Sequence, residues 1–264
     1  MSEWLDICRL AVEDVRGVLE RLPTRSDREP VVGSGMGGDE TTAIDAAVEE
    51  AVVARLDAAG LDFTLVSEEL GRRGDGSGAW VVLDPIDGSI NAKRGLPFFS
   101  LSIAVAEGGT MDDVVFGYVY DFGAGEEWTA ERGAGARLNG APLGPEFPKD
   151  RIELLVFEAT RTDLVARHAP AFVGVAHRLR ILGSLAIALC HLADGRVDGV
   201  CSLKPARSVD IAAGALLVRE RGLAIDLPDD PPFGAAALDL EGRSRVAAAG
   251  TPELCATVTA ALSA

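Results

Sequence analysis

The sequence predicts a layered sandwich of helices and sheets, α+β in its first half and α/β in its second. Three observations carry the prediction. Two long stretches with helical character, residues 3–22 and 42–59, accompany a series of strand-like runs broken by glycine and turn residues. A proline-bearing connection over 142–148 then marks a shift of composition. Beyond it strands and helices alternate, the pattern of helices layered against a sheet. Two lobes are expected: residues 1–147, α+β with antiparallel strands, and residues 148–264, α/β.

In chain order, Leu5, Ile7, Cys8, Val12, Val15, Val18, Leu19 and Leu22 recur at helical spacing, and Pro23 ends the run. Residues 31–39 are rich in glycine and are expected to form a loop. The Ala/Val/Glu content of 42–59 predicts a second helix, stopped at Gly60. A short strand over 63–66 runs into Ser67-Glu68-Glu69, and 72–78 is a glycine-rich link. Strands are expected over 99–106, 114–120, 127–130 and 135–138, with Gly108-Gly109 separating the first pair as in a meander. The second half reads as strand 152–157, helix 162–168, strand 179–182, helix 185–193, strand 197–202, helix 209–221, strand 246–248 and helix 252–262.

At 264 residues the chain accommodates one large domain or two packed lobes, and 48% hydrophobic with 25% charged residues is a globular composition. Charges or glycines interrupt every apolar run before membrane-spanning length, so no transmembrane segment is expected. Met1-Ser2-Glu3-Trp4-Leu5-Asp6 is acidic and lacks the order of a secretory signal; a cytoplasmic location is expected. The net charge of −16, with three lysines (Lys93, Lys149, Lys204) against 22 arginines, argues against nucleic-acid or membrane partners. Cys8, Cys190, Cys201 and Cys255 show no paired spacing and read as free buried thiols. His168, His177 and His191 show no metal-ligand spacing, and His191, in an apolar helical stretch, reads as structural.

The chemistry concentrates in Val81-Val82-Leu83-Asp84-Pro85-Ile86-Asp87-Gly88-Ser89. An apolar strand run leads to two carboxylates three residues apart, then a glycine and a hydroxyl. Pro85 has no amide hydrogen and a fixed φ, so the ladder is expected to end beside it. Both aspartates would then sit on a tight turn at a strand end, where concave ligand sites form. Carboxylates this close repel unless a proton or cation lies between them. Hard oxygen donors in that arrangement suit Mg2+, which leaves positions for water and phosphate. Gly88 lets a ligand approach the backbone, and the amides after it can hold an anion.

Four further segments accompany this turn: Thr42-Ala43-Ile44-Asp45, Ser67-Glu68-Glu69, Gly183-Ser184-Leu185-Ala186 and Val209-Asp210-Ile211-Ala212-Ala213-Gly214. In order and spacing the set resembles the inositol monophosphatase and fructose bisphosphatase superfamily of Mg2+-dependent, Li+-sensitive phosphatases. The resemblance runs from the first helix to about residue 225. It implies the sugar-phosphatase fold, an αβαβα sandwich, a phosphomonoesterase using two or three Mg2+ ions, and a homodimer. It implies that Asp84 bridges two ions, that Glu68 and the Ile86 carbonyl complete one site, and that Asp87 and Asp210 complete the other. Ser89 and Asp45 would form a relay that orients water, with Thr42 beside them, and the amides of Gly88 and Ser89 would hold phosphate. Thr42 and Asp210 are equally suited to capping their own helices, and Glu69 reads as a neighbour or a surface acid.

Several positions bear on the substrate. Ser89 stands where many members have threonine, and the hydroxyl survives. Val209 replaces the tryptophan of animal inositol monophosphatases, while Arg207-Ser208-Val209-Asp210 resembles the R-x-x-D of archaeal-type enzymes that hydrolyse both inositol monophosphate and fructose bisphosphate. The glycine-rich run 33–39 and the run 91–100 point the same way. Leu203 falls where the animal enzymes carry an inositol-contacting glutamate. Arg207, Lys204 and Ser184 are the expected substrate contacts. Those two basic residues, with Lys93 and Arg94, would serve a second phosphate or sugar hydroxyls, or else balance local carboxylates. The expected substrate is a small polyol or sugar phosphate. Nucleotide 3′-phosphates and histidinol phosphate are the alternatives, as is a silent metal- and phosphate-binding relative, against which the intact Asp45 and Ser89 argue.

Overall fold

The computed structural model describes residues 2–36, 40–145, 150–158, 161–229 and 232–264. An apolar helical stripe needs a surface to cover it, and α1 (Ser2–Arg21) packs against α3 (Ala43–Ala58). Cys8, Val12, Val15 and Val18 of α1 share one apolar cluster with Ile44, Val48, Val52 and Leu56 of α3. Between the two helices lie α2 (Arg25–Arg28) and an antiparallel pair, β1 (Val31–Ser34) with β2 (Glu40–Thr42). This pair corrects the loop expected over 31–39. Val31 lies opposite Thr42 and Ser34 opposite Glu40, so main-chain pairing prevails over the glycine content. Of that glycine-rich run, Gly37, Gly38 and Asp39 lie outside the described residues.

The strand runs of the first half form one eight-stranded sheet. Its members are β3 (Phe63–Ser67), β4 (Gly71–Arg73), β5 (Ala79–Asp87), β6 (Ser100–Ala106), β7 (Val114–Asp121), β8 (Glu126–Glu131), β9 (Gly135–Leu138) and β10 (Ala141–Pro142). Across the sheet they run β10-β9-β8-β7-β6-β5-β3-β4, with only the β3–β5 pair parallel. The period of two sorts the side chains. Leu65, Val81, Leu83, Ile103, Val105 and Tyr118 join the α1/α3 cluster, whereas Val66, Val82, Ala104, Val119 and Trp128 belong to a second one.

That second cluster is filled by α6 (Leu185–Ala193) and α7 (Ser208–Glu220). Every residue of α6 except His191 is buried, as expected of a helix covered on both sides. Beyond it lies a five-stranded sheet in the order β12 (Ala176–Arg180), β11 (Ile152–Glu158), β13 (Gly199–Ser202), β15 (Ala247–Ala249), β14 (Ala224–Asp226). Val156, Val200 and Ala248 face α6 and α7. Leu155, Phe157 and Cys201 face the opposite way, toward α8 (Pro252–Leu262) and α5 (Thr162–His168). The layers therefore read α1/α3, sheet, α6/α7, sheet, α5/α8, which is the expected αβαβα sandwich. All four cysteines are free and buried. The boundary expected between residues 147 and 148 lies outside the described residues.

Three local expectations are corrected. The ladder does not end at Pro85: β5 bulges after Asp84, paired with Ser102, and rejoins at Asp87, paired with Ser100. One extra residue in β5 absorbs the missing amide hydrogen, and the bulge turns both aspartates out of simple alternation. The link expected over 72–78 begins as an edge strand, β4, paired with β3. The strand expected at 179–182 begins at Ala176, because an exposed edge carries no apolar alternation to mark it.

Close helix–sheet packing depends on Gly117 of β7. A Cβ built there would lie 2.7 Å from the Ala213 carbonyl oxygen of α7, a backbone atom that cannot swing away. Gly117→Ala is therefore expected to destabilise the protein by about 1–3 kcal/mol, the usual cost of overpacking a filled interior. Urea unfolding monitored by circular dichroism measures it, and a shift below about 0.5 kcal/mol, within the range of surface substitutions, would show that α7 yields freely.

Candidate active site

Strand ends and helix starts converge at one edge of the sandwich. Glu68 follows β3, Asp84 and Asp87 lie on the bulged end of β5, Glu158 ends β11, and Asp210 sits in the first turn of α7. Carboxylates are favoured at such helix starts, where unpaired N–H groups point outward. These residues line a cavity of about 910 Å3 together with Asp45, Glu69, Ile86, Gly88, Ser89, Lys93, Lys204, Arg207 and Arg243. Oxygens of Glu68, Asp84 and Asp210 all lie within 4.8 Å of one another. Three carboxylates at that separation fit a hard divalent cation.

Each acid is held by specific partners. Asp84 Oδ1 accepts the Ile86 N–H at 3.0 Å across the bulge. Asp87 Oδ2 accepts from the Ser184 hydroxyl at 2.5 Å and from the Ala186 N–H at 2.7 Å, so the start of α6 grips it. Asp210 Oδ2 accepts the Arg207 N–H at 2.7 Å, and the Arg207 side chain reaches both Glu68 and Asp210. Asp45 Oδ2 accepts from the Thr42 N–H at 3.1 Å and from its hydroxyl at 2.5 Å, while Asp45 Oδ1 is buried without a hydrogen-bond partner. At Gly88, φ is 93° and a Cβ would lie 2.7 Å from the Phe98 carbonyl oxygen, so only glycine fits beside the aspartates.

Crowding leaves its mark on the titration of the acids. Burial, then repulsion from Glu68, Asp87 and Asp210, pushes Asp84 well above the usual carboxylate range. Burial lifts Glu68 to about 8, with the Arg207 charge opposing the shift and Asp210 and Glu69 adding to it. Burial raises Asp87 to about 6 against its hydrogen bond from Ser184. Such shifts follow from carboxylates crowded together away from water, an environment typical of functional sites.

Sequence and structure differ over several roles. Ser184, expected as a substrate contact, is 1% exposed and caps α6, accepting from Ile187 N–H at 3.2 Å. Its hydroxyl therefore positions Asp87 and does not face a substrate. The Ser89 hydroxyl donates to the Ile86 carbonyl at 3.1 Å, not to Asp45. Thr42 is 2% exposed and takes the capping role at α3, paired with Asp45. Lys93 and Lys204 line the cavity, and Arg94 is not among the described lining residues. Leu203 is buried in the apolar cluster beneath α8.

Glu158 and Glu49 were not singled out from the sequence. Glu158, pushed up to about 8 by burial and then by Asp87, accepts the N–H groups of Leu182 and Gly183 at 3.0–3.1 Å. Its signal was present: like Asp84, it is an acid closing an apolar strand run. Glu49 accepts from Ser67 and from the N–H groups of Glu69 and Leu70, bracing the Glu68 turn. It stands four residues after Asp45, on the same helix face. Arg243 had no local signal. In a second group, Asp121, Glu126 and His191, Glu126 is paired with Arg196 at 2.6 and 2.8 Å, and Asp121 accepts the N–H groups of Gly123 and Ala124.

A five-layered αβαβα sandwich with an acid-lined cleft where strand ends meet helix starts defines a class, the sugar-phosphate phosphatases. The chain belongs to the inositol monophosphatase family, whose model matches residues 6–263. The fructose-1,6-bisphosphatase/inositol-1-monophosphatase of Methanothermobacter thermautotrophicus is 32% identical over 269 residues, covering 95% of this chain and 93% of that protein. The Nus factor SuhB of Pasteurella multocida is 35% identical over 237 residues, covering 84% of each. A solved inositol monophosphatase-fructose 1,6-bisphosphatase superposes with a TM-score of 0.85 at 26% identity, covering 98% of this chain and 99% of that one.

Proposed function

We propose that the protein is a Mg2+-dependent phosphomonoesterase acting on a small polyol or sugar phosphate, with myo-inositol monophosphate and fructose-1,6-bisphosphate as the leading substrates. The observation that carries this reading is the clustering of Glu68, Asp84 and Asp210 oxygens within 4.8 Å, on a cavity also lined by Asp45, whose Oδ1 is buried without a partner. Glu68, Asp84, Asp87 and Asp210, with the Ile86 carbonyl, would hold two or three Mg2+ ions. When bound, Mg2+ supplies charge neutralisation for the phosphate and acidifies water at neutral pH.

The chain's own residues do the rest. Asp45 Oδ1 is the acceptor for a proton of the attacking water, directly or through the Ser89 hydroxyl once it leaves the Ile86 carbonyl. The backbone at Gly88 and Ser89 takes phosphate oxygens, and Glu158 and Ser184 keep the Asp87 side of the cleft in shape. Lys204, Lys93 and Arg243 offer positive charge on the cavity wall for a second phosphate or for sugar hydroxyls. No covalent enzyme intermediate is required. The same reading takes residues 1–147 and 148–264 as two lobes, with Asp210 from the second completing the site of the first. It includes a homodimer in the cytoplasm without nucleic-acid or membrane partners. The charge of −16 supports the last point, and no helix among the described residues is long and apolar enough to cross a membrane.

Phosphate release from a panel of inositol monophosphate, fructose-1,6-bisphosphate, a nucleotide 3′-phosphate and histidinol phosphate, with and without Mg2+, tests the proposal. Turnover of the first two that depends on Mg2+ is expected. Preference for either of the others would move the assignment to that substrate. No turnover of any phosphomonoester would leave only a binding protein.

A further inference from the structure

One charge at the carboxylate cluster has the opposite sign. Arg207, 9% exposed, precedes Asp210 by three residues at the start of α7. Its Nη2 donates to Glu68 Oε1 and, at 3.3 Å, to Asp210 Oδ1. Those two residues and Asp84 are the three whose oxygens lie within 4.8 Å of one another. A guanidinium nitrogen thus bridges two of the three carboxylates that a cation would bridge. The group keeps its charge at any pH at which the protein is folded. Mg2+ demands near-octahedral oxygens at about 2.0–2.1 Å, a geometry that a cationic nitrogen bonded to the same oxygens obstructs and repels.

We propose that Arg207 is a resident counter-cation, bridging Glu68 and Asp210 in the metal-free protein and leaving that bridge when Mg2+ is bound. The inference rests on the metal-site reading above and goes beyond the substrate contact expected of Arg207. Without Mg2+ the guanidinium offsets carboxylate repulsion, so it stabilises the metal-free fold and weakens the apparent affinity for Mg2+. Once displaced, its charge remains on the cavity wall, where it meets the phosphate. Metal entry and phosphate binding are thereby linked through one side chain.

Calorimetric titration of Mg2+ into the wild-type protein and Arg207→Gln, with thermal melts of both in EDTA, tests this. Removing one charge-assisted hydrogen-bond donor that competes for the ligands is expected to tighten Mg2+ binding about tenfold. The metal-free variant is expected to melt below the metal-free parent. In crystal structures of the wild type, the bridge should be present with EDTA and broken with Mg2+. Equal or weaker Mg2+ binding by the variant overturns the proposal, as does a Mg2+-loaded wild type that retains the bridge. The two wild-type structures decide the matter even if the variant does not fold. A wild type that takes up no Mg2+ overturns the metal-site reading itself, a result distinct from binding that is merely insensitive to Arg207.

Discussion

Replacing Asp87 with asparagine is expected to lower Mg2+-dependent phosphate release by at least about 10³-fold, above the ~10–100-fold typical when only a supporting partner of a metal ligand is lost. The substitution is close to isosteric. The asparagine amide oxygen can accept the same bonds from Ser184 and Ala186 that Asp87 Oδ2 accepts at 2.5 and 2.7 Å, so the start of α6 keeps its anchor. What disappears is a negative charge that a hard cation requires. Burial and repulsion from Asp210 already raise Asp87 to about 6, so removing its charge relieves strain in the metal-free protein. The metal-free variant should accordingly melt no lower than the metal-free parent. Initial rates under saturating Mg2+, paired with thermal melts, separate chemistry from folding. A variant within tenfold of the parent's rate would refute the assignment of Asp87, and a fall in rate that tracks a fall in melting temperature would reduce it to a structural role.

The metal-free protein is expected to lose stability steadily as pH rises from about 5 to 8, and Mg2+ is expected to reverse the trend. Glu68 and Glu158 move from an ordinary value of 4.5 to about 8, and Asp87 moves from 3.8 to about 6. Over that window the folded protein keeps protons that the unfolded chain has released. Stability from these groups is complete below the unfolded values and is lost as pH climbs through the folded ones. Mg2+ replaces the protons with a dication, so its stabilising increment should grow with pH as competition for the carboxylates falls away. Melts at pH 5, 6, 7 and 8 in EDTA and in Mg2+ give both curves. A metal-free melting temperature that rises over this range, or a Mg2+ increment independent of pH, would contradict the account.

Much of the site was legible because its signals are local. Asp84, Pro85, Asp87 and Gly88 fall within five consecutive residues, and the capacity of Asp210 to cap a helix can be read from its place before an apolar helical run. Glu158 could have been read by the argument that found Asp84, since both close an apolar strand. Glu49 could have been found as a residue one helical turn from Asp45. Arg243 could not, because nothing near it in the chain distinguishes it from other exposed arginines. The roles of hydroxyls were the least legible. Ser89 was expected to pair with Asp45 and Ser184 to contact substrate, but a hydroxyl rotates to whichever acceptor packing places within about 3 Å, here the Ile86 carbonyl and Asp87.

The sequence by itself determined most of the elements and drew out the acids Asp45, Glu68, Asp84, Asp87 and Asp210. Helical and alternating periods decide which face of each segment must be buried, and two-sided burial of α6 and α7 forces the five layers. Only the tertiary structure decided the pairings. Asp87 meets Ser184 across 97 residues of chain and Arg207 meets Glu68 across 139, and neither contact follows from a local pattern. The physical reason is range. Periodicity is set by neighbours along the chain, whereas a hydrogen bond is won by whichever polar group arrives within a few tenths of an ångström, and that depends on every layer packed beneath it. The Asp84–Asp87 run led to the expectation of a cation beside a phosphate; the packed sandwich put Arg207 across Glu68 and Asp210.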